Sequence, residues 1–177
     1  MKIAAGFLAV IIALLGMIAA VGHMDGSIVF GEPPVDVAPV DDESPVTGVE
    51  EAYLQFVIGT LQTVSTDIYT LGTLFSNPEM EDEYWKSSVT VLLNRIEAAH
   101  GAIVPLDPTS RLQPFQDAAV LALDHSGEFA RILRGLLVQG QTELSEEAAT
   151  ELMAAAEAFG QAEGLLNDFL TTHQPQP

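Results

Sequence analysis

The spacing of apolar side chains constrains this chain more than any other feature. Leu54, Val57, Leu61, Val64, Ile68, Leu71 and Phe75 step by three and four residues without interruption. That rhythm lines one side of an α-helix with apolar groups and leaves the other side to water. It recurs in Trp85, Val89, Leu92, Ile96, Ala99 and Ile103. It recurs again in Phe115, Ala118, Ala122, His125, Phe129, Ile132 and Leu136, and in Ala148, Leu152, Ala155, Phe159, Ala162, Leu166 and Phe169. Four heptad seams joined by short connections predict an all-α fold, an up-down-up-down antiparallel four-helix bundle over residues 47–173.

Local signals place the helix ends. Thr47-Gly48-Val49-Glu50 matches a capping box, in which Thr and Glu satisfy each other's backbone N–H groups. Asn77-Pro78 predicts the second helix start, with Asn as cap and Pro in the first turn. Val104-Pro105 ends that helix, because a residue before proline resists the helical conformation. Ser110-Arg111-Leu112-Gln113 is a second capping box, with Pro114 in the tolerated first turn. Gly140 suits a C-terminal cap, and Ser145-Glu146-Glu147 opens the last helix with acids at its positive end. Residues 174–177 are expected to be a frayed tail.

Ahead of the bundle stands a second kind of signal. Ile3 to Gly22 is an unbroken apolar run preceded by Lys2. Its length suits a single membrane-spanning helix of about 20 residues, longer than the apolar core of a typical cleaved signal peptide. Residues 1–22 are therefore expected to be a signal anchor or signal peptide. Retained, it spans the membrane through residues 3–22 with the C-terminal domain outside the cytoplasm. Cleaved after Ala20-Val21-Gly22, it releases a secreted protein. Residues 23–46 carry four prolines, six acids and no Lys or Arg, the composition of a disordered acidic spacer.

Charge narrows the function. Asp and Glu number 25 against six Lys and Arg, a formal net charge of −19. Such a chain repels nucleic acid and anionic lipid headgroups. There is no cysteine, so thiol catalysis, disulfides and haem attachment through cysteine are all excluded. No Gly-rich phosphate loop, Gly-x-Ser-x-Gly or His-Glu-x-x-His is present. Glu97-Ala98-Ala99-His100 has the spacing of a di-iron motif, but that chemistry needs two copies on facing helices and only one exists. No enzymatic activity and no cofactor are expected.

Three candidate sites remain. Glu97, His100, Glu50, Glu51 and His173 all map to the linker end of the bundle, where they are candidates for binding a divalent cation. Helix 1 has one formal charge between Ala52 and Ser76, Asp67. Thr63, Thr66, Tyr69 and Thr70 lie off its seam, and a neutral face of this kind suits contact with a protein partner or a homodimer. Arg134 is expected to pair with Glu147 and Glu151 when helix 4 folds back on helix 3. Gly160 and Gly164, one turn apart, predict a close backbone approach by a neighbouring helix, with a ligand groove beside them as the alternative. The functional expectation is an exported, membrane-anchored, non-enzymatic interaction or sensing module, with a metal- or small-ligand-binding exported protein as the alternative.

Overall fold

The computed structural model describes residues 45–173, and the expected anchor, most of the linker and the tail lie outside them. The described residues are all-helical, without strands: α1 (Gly48–Ser76), α2 (Glu83–Ile103), a 3-10 turn (Ser110–Leu112), α3 (Gln113–Val138) and α4 (Glu146–His173). They form a helical bundle around one hydrophobic core. Among them, no helix is long and apolar enough to cross a membrane.

The termini follow local chemistry. Thr47 caps α1 through both arms of the capping box. The Thr47 N–H donates to Glu50 Oε2 at 2.9 Å, and the Glu50 N–H donates to Thr47 Oγ1 at 3.3 Å. Ser145 Oγ accepts the Ala148 N–H at 3.1 Å and starts α4. Gly140 adopts a φ of +70°, which lets Gln141 N reach back to Leu136 O at 2.9 Å and close α3. Two expected starts are displaced. α2 begins at Glu83 rather than at Asn77-Pro78, because the Asp82 carboxylate accepts the Tyr84 N–H at 2.9 Å and caps the helix. Residues 77–82 are used to turn the chain, so that Trp85 Nε1 can donate to Leu74 O at 3.2 Å. The Ser110 capping box does not form. A 3-10 turn takes its place and buries Leu112, and α3 starts without a side-chain cap.

Side-chain contacts tie the helix ends together. The start of α2 is tied to the end of α1 by the Trp85 bond and by the Phe75–Trp85 ring pair at 5.6 Å. The start of α3 is tied to the end of α2, where Gln116 Nε2 donates to Ile103 O at 2.7 Å. Tyr53 donates its hydroxyl to Gln116 Oε1, which brings the start of α1 to the same end. The start of α1, the end of α2 and the start of α3 therefore meet at one end of the bundle. α3 and α4 share the most extensive contact, and both bury small side chains: Ala118, Ala119 and Ala122 on α3, and Ala148, Ala155 and Ala162 on α4. Alanine permits that approach because it adds little bulk between the backbones.

The seams are buried as expected on α1, α2 and α4, apart from the half-buried Phe75 at the end of α1. On α3 the buried face is rotated. Ala119, Leu123, Ala130 and Leu133 are fully covered, whereas His125, Ile132 and Leu136 sit at its edge. α3 touches all three other helices, so its buried face is wider than a two-position seam. The expected close approach at Gly160 and Gly164 is corrected. Both are exposed, and a Cβ built at either meets nothing within 4 Å. They therefore carry the entropic penalty of glycine in a helix without a packing gain. Gly160→Ala and Gly164→Ala should each raise stability by about 0.5–1 kcal/mol, measured as a higher Tm. A lower Tm at either position would show that a neighbouring backbone does need that space.

Candidate functional site

The linker end of the bundle holds the most deeply buried ion pair among the described residues. Glu50 and Arg111 have side chains 1% and 5% exposed. Arg111 Nε donates to Glu50 Oε1 at 2.7 Å, and its Nη2 donates to Glu50 Oε2 at 2.5 Å. This is the bidentate fork that matches guanidinium to carboxylate. Thr109 Oγ1 donates to Glu50 Oε1 at 2.7 Å, and Arg111 Nη2 also reaches Pro45 O at 3.2 Å. The guanidinium lies over the Phe169 ring, 5.5 Å from its centre, and Phe169 stacks against His173 at 4.4 Å. One cluster thus joins the start of α1, the 3-10 turn and the end of α4. Burial pushes the Glu50 carboxyl up, but bonds from Arg111, the Thr47 backbone and the Thr109 and Thr47 hydroxyls outweigh it, and hold it at about 2.

The five candidate metal ligands do not converge. Glu50 is committed to Arg111, and His173 is buried with Nδ1 against Phe169 O at 2.7 Å. Glu51 is exposed and accepts from Gln55 Nε2 at 3.5 Å. Glu97 lies further along α2 and accepts a bidentate pair from Arg134, both bonds at 3.0 Å. His100 is half-buried one turn away, beside a groove of about 420 Å³ between α2 and α3 that also meets Asp124, Gly127 and Arg131. Among the described residues, no group of three or more His, Asp or Glu side chains is placed to hold a metal ion.

The partner of Arg134 is likewise a correction. It binds Glu97 and Asn94 of α2 instead of Glu147 and Glu151 of α4. Glu151 instead meets His125, Oε2 to Nδ1, at 2.7 Å. His125 and Arg134 are nine positions apart in the sequence, two and a half helical turns, and so lie on opposite sides of α3. The side that faces α4 cannot also carry Arg134. Arg131 is held by Glu128 one turn before it, and the Glu147 charge reaches Arg131 as a secondary influence.

α1 contains a pair that periodicity did not anticipate. Asp67, its lone mid-helix charge, is 1% exposed and is gripped by two Arg95 nitrogens, Nε at 2.8 Å. The signal available in the sequence was the rarity itself: one acid in an otherwise neutral stretch, with the nearest bases on the next helix. With Asp67 turned inward, the outer side of α1 has no charge from Ala52 to Ser76. Thr63 and Thr66 are exposed, Thr70 is half-buried, and Tyr69 is 52% exposed. Each of the three threonine hydroxyls donates to the carbonyl four residues earlier, at 2.8 Å. Their donors are satisfied within the helix, so covering them with another surface leaves no orphaned hydroxyl proton.

No protein-family model, curated protein or solved structure matches this chain.

The Glu50 clasp has a defined pH signature. Its carboxyl is depressed from an ordinary 4.5 to about 2, so the stabilisation is present above about pH 4.5 and is lost as the pH falls towards 2. The shift corresponds to on the order of 3 kcal/mol. Glu50→Gln should be less stable than the native chain at pH 7 by that order, and the gap should close between pH 5 and pH 2 in urea titrations (about the range the shift spans). A gap that stays constant across that range would show that the carboxylate charge is not what Arg111 requires.

Proposed function

We propose that this chain is an exported, membrane-anchored, non-enzymatic protein that acts as an extracytoplasmic interaction or sensing module. In this reading residues 3–22 hold it in the membrane, residues 23–46 form the spacer, and residues 47–173 are an up-down-up-down antiparallel four-helix bundle. The observation that carries it is the outer side of α1, uncharged along its length in a chain of net charge −19. A helix face that meets only water ordinarily carries charge. Thr63, Thr66, Tyr69 and Thr70 are the contact residues, and the partner is a protein. Nucleic acid is disfavoured by the acidic surface.

The groove between α2 and α3 favours a second reading, in which the exported bundle binds a small ligand. Its volume falls within the range of small-molecule sites, and it offers both signs of charge through His100, Asp124 and Arg131. Native mass spectrometry of the full chain, extracted from its own cells in mild detergent, separates the two. The interaction reading predicts a chain that retains residues 1–22 within an assembly, either with another polypeptide or with a second copy. It predicts that the double substitution Thr63→Lys, Thr70→Lys dissociates that assembly. A single bare chain in every preparation would overturn it. A single chain carrying a small-molecule adduct that Arg131→Ala abolishes would support the ligand reading in its place.

A further inference from the structure

We propose that the outer strip of α1 is covered by the same strip of a second copy, in a parallel two-fold pair. The inference rests on the tethered-module reading and names its partner. Ala52, Gly59, Thr66 and Thr73 are spaced by seven residues, and so are Gln55, Gln62, Tyr69 and Ser76. Together they make a second heptad seam on α1, on the opposite side from Leu54, Leu61 and Ile68. None of the eight is buried. The repeat covers 25 residues, about three and a half heptads, which is long enough to sustain a coiled-coil contact.

The charge pattern says what covers this seam. In a two-fold interface each residue near the axis meets its own copy, so a charge there faces an identical charge. A self-associating seam must therefore be uncharged near its axis. The outer sides of the other helices fail that requirement: α2 exposes Glu83, Arg95 and Glu97, α3 exposes Asp117 and Arg131, and α4 exposes Glu157 and Asp168. The outer strip of α1 meets it along its whole length. A basic partner would be drawn to the acidic faces and would gain nothing from a neutral one. The residues are also short at Ala52, Gly59, Thr66 and Thr73, which permits close approach, and the hydroxyls of Thr66 and Thr73 are already bonded within the helix. Anchors in one membrane bring both chains in from the same side, which favours the parallel pair, and confine them at high effective concentration.

The chain has no cysteine, so any disulfide reports only an introduced pair. Gly59→Cys, Thr66→Cys and Thr73→Cys are each expected to form a disulfide-linked chain of doubled mass when the full protein is mildly oxidised in its own membranes. Ser87→Cys, exposed on α2, is the control and should not link. An antiparallel pair could not link residues 59 and 73 each to itself, so linking at both supports the parallel arrangement. Adding Gly59→Leu to Thr66→Cys should reduce linking at least five-fold, while thermal unfolding shows an intact bundle, since nothing lies within 4 Å of a Cβ at that position. Linking at Thr66→Cys no greater than at Ser87→Cys would overturn the second copy as partner. If the native assembly then still contained another polypeptide lost on Thr63→Lys, Thr70→Lys, the interaction module would stand with a different partner. A bare single chain would remove both.

Discussion

The ion pair between Glu50 and Arg111 is the contact on which the arrangement of this bundle depends. It lies where the chain enters the bundle, and it holds three elements that are far apart in sequence: the first turn of α1, the 3-10 turn before α3 and the last turn of α4. Burying two charges is costly, and the cost is offset only where the geometry is good and the remaining lone pairs are satisfied. Both conditions hold. Glu50 accepts from Arg111, Thr109 and Thr47, and the guanidinium rests on Phe169. The capping box of α1 is thus part of a larger network. The same carboxylate that starts the helix also fixes where the α2–α3 connection and the C-terminal turn must dock.

Scarcity of positive charge gives that pair its wider meaning. Each Lys and Arg among the described residues is engaged with an acid: Lys86 with Glu83, Arg95 with Asp67, Arg111 with Glu50, Arg131 with Glu128, and Arg134 with Glu97. Three of these pairs tie separate elements together. Most of the acids therefore face water with no cation opposite them. Such a surface keeps a protein soluble and holds other acidic surfaces away. It also makes the position of any uncharged area informative, because mutual repulsion between copies is weakest there. Asp67 is decisive here. It sits on the flank of α1, between the buried and outer sides; drawn inward by Arg95 it leaves the outer side neutral, whereas facing outward it would have placed a carboxylate at the edge of that side.

Periodicity and capping made the helices legible. Leu54 to Leu71 and Ala148 to Phe169 are buried where the three-and-four spacing places them, and Thr47, Gly140 and Ser145 mark the ends they were expected to mark. Those signals act between residues a few positions apart, so they survive without tertiary information. The failures share the opposite property. Whether Arg134 meets α2 or α4 depends on the rotation of α3 about its axis, which a single seam leaves uncertain by roughly the width of one residue, about 100°. The start of α2 at Glu83 depends on seating Trp85 beneath Leu74. The turn at Ser110 depends on pulling Arg111 inward to Glu50. Gly160 and Gly164 looked like close-packing residues, because sequence shows a missing side chain but not what stands opposite it. Of the candidate site, the neutral character of α1 was legible, whereas its second heptad seam emerged only once the buried side was known.

The proposed tethered bundle, with its neutral helix covered in its native setting, makes a direct demand on the three tyrosines. Tyr53 is buried, Tyr84 is 80% exposed on α2, and Tyr69 is 52% exposed at the centre of the α1 strip. Labelling intact cells with a membrane-impermeant tyrosine reagent, followed by mass spectrometry, reads all three at once. The account predicts strong modification of Tyr84, none of Tyr53, and protection of Tyr69 that disappears when the assembly is dissociated. Modification of Tyr69 in proportion to its exposure in the single chain would contradict the covered strip, and an unmodified Tyr84 in intact cells would contradict export.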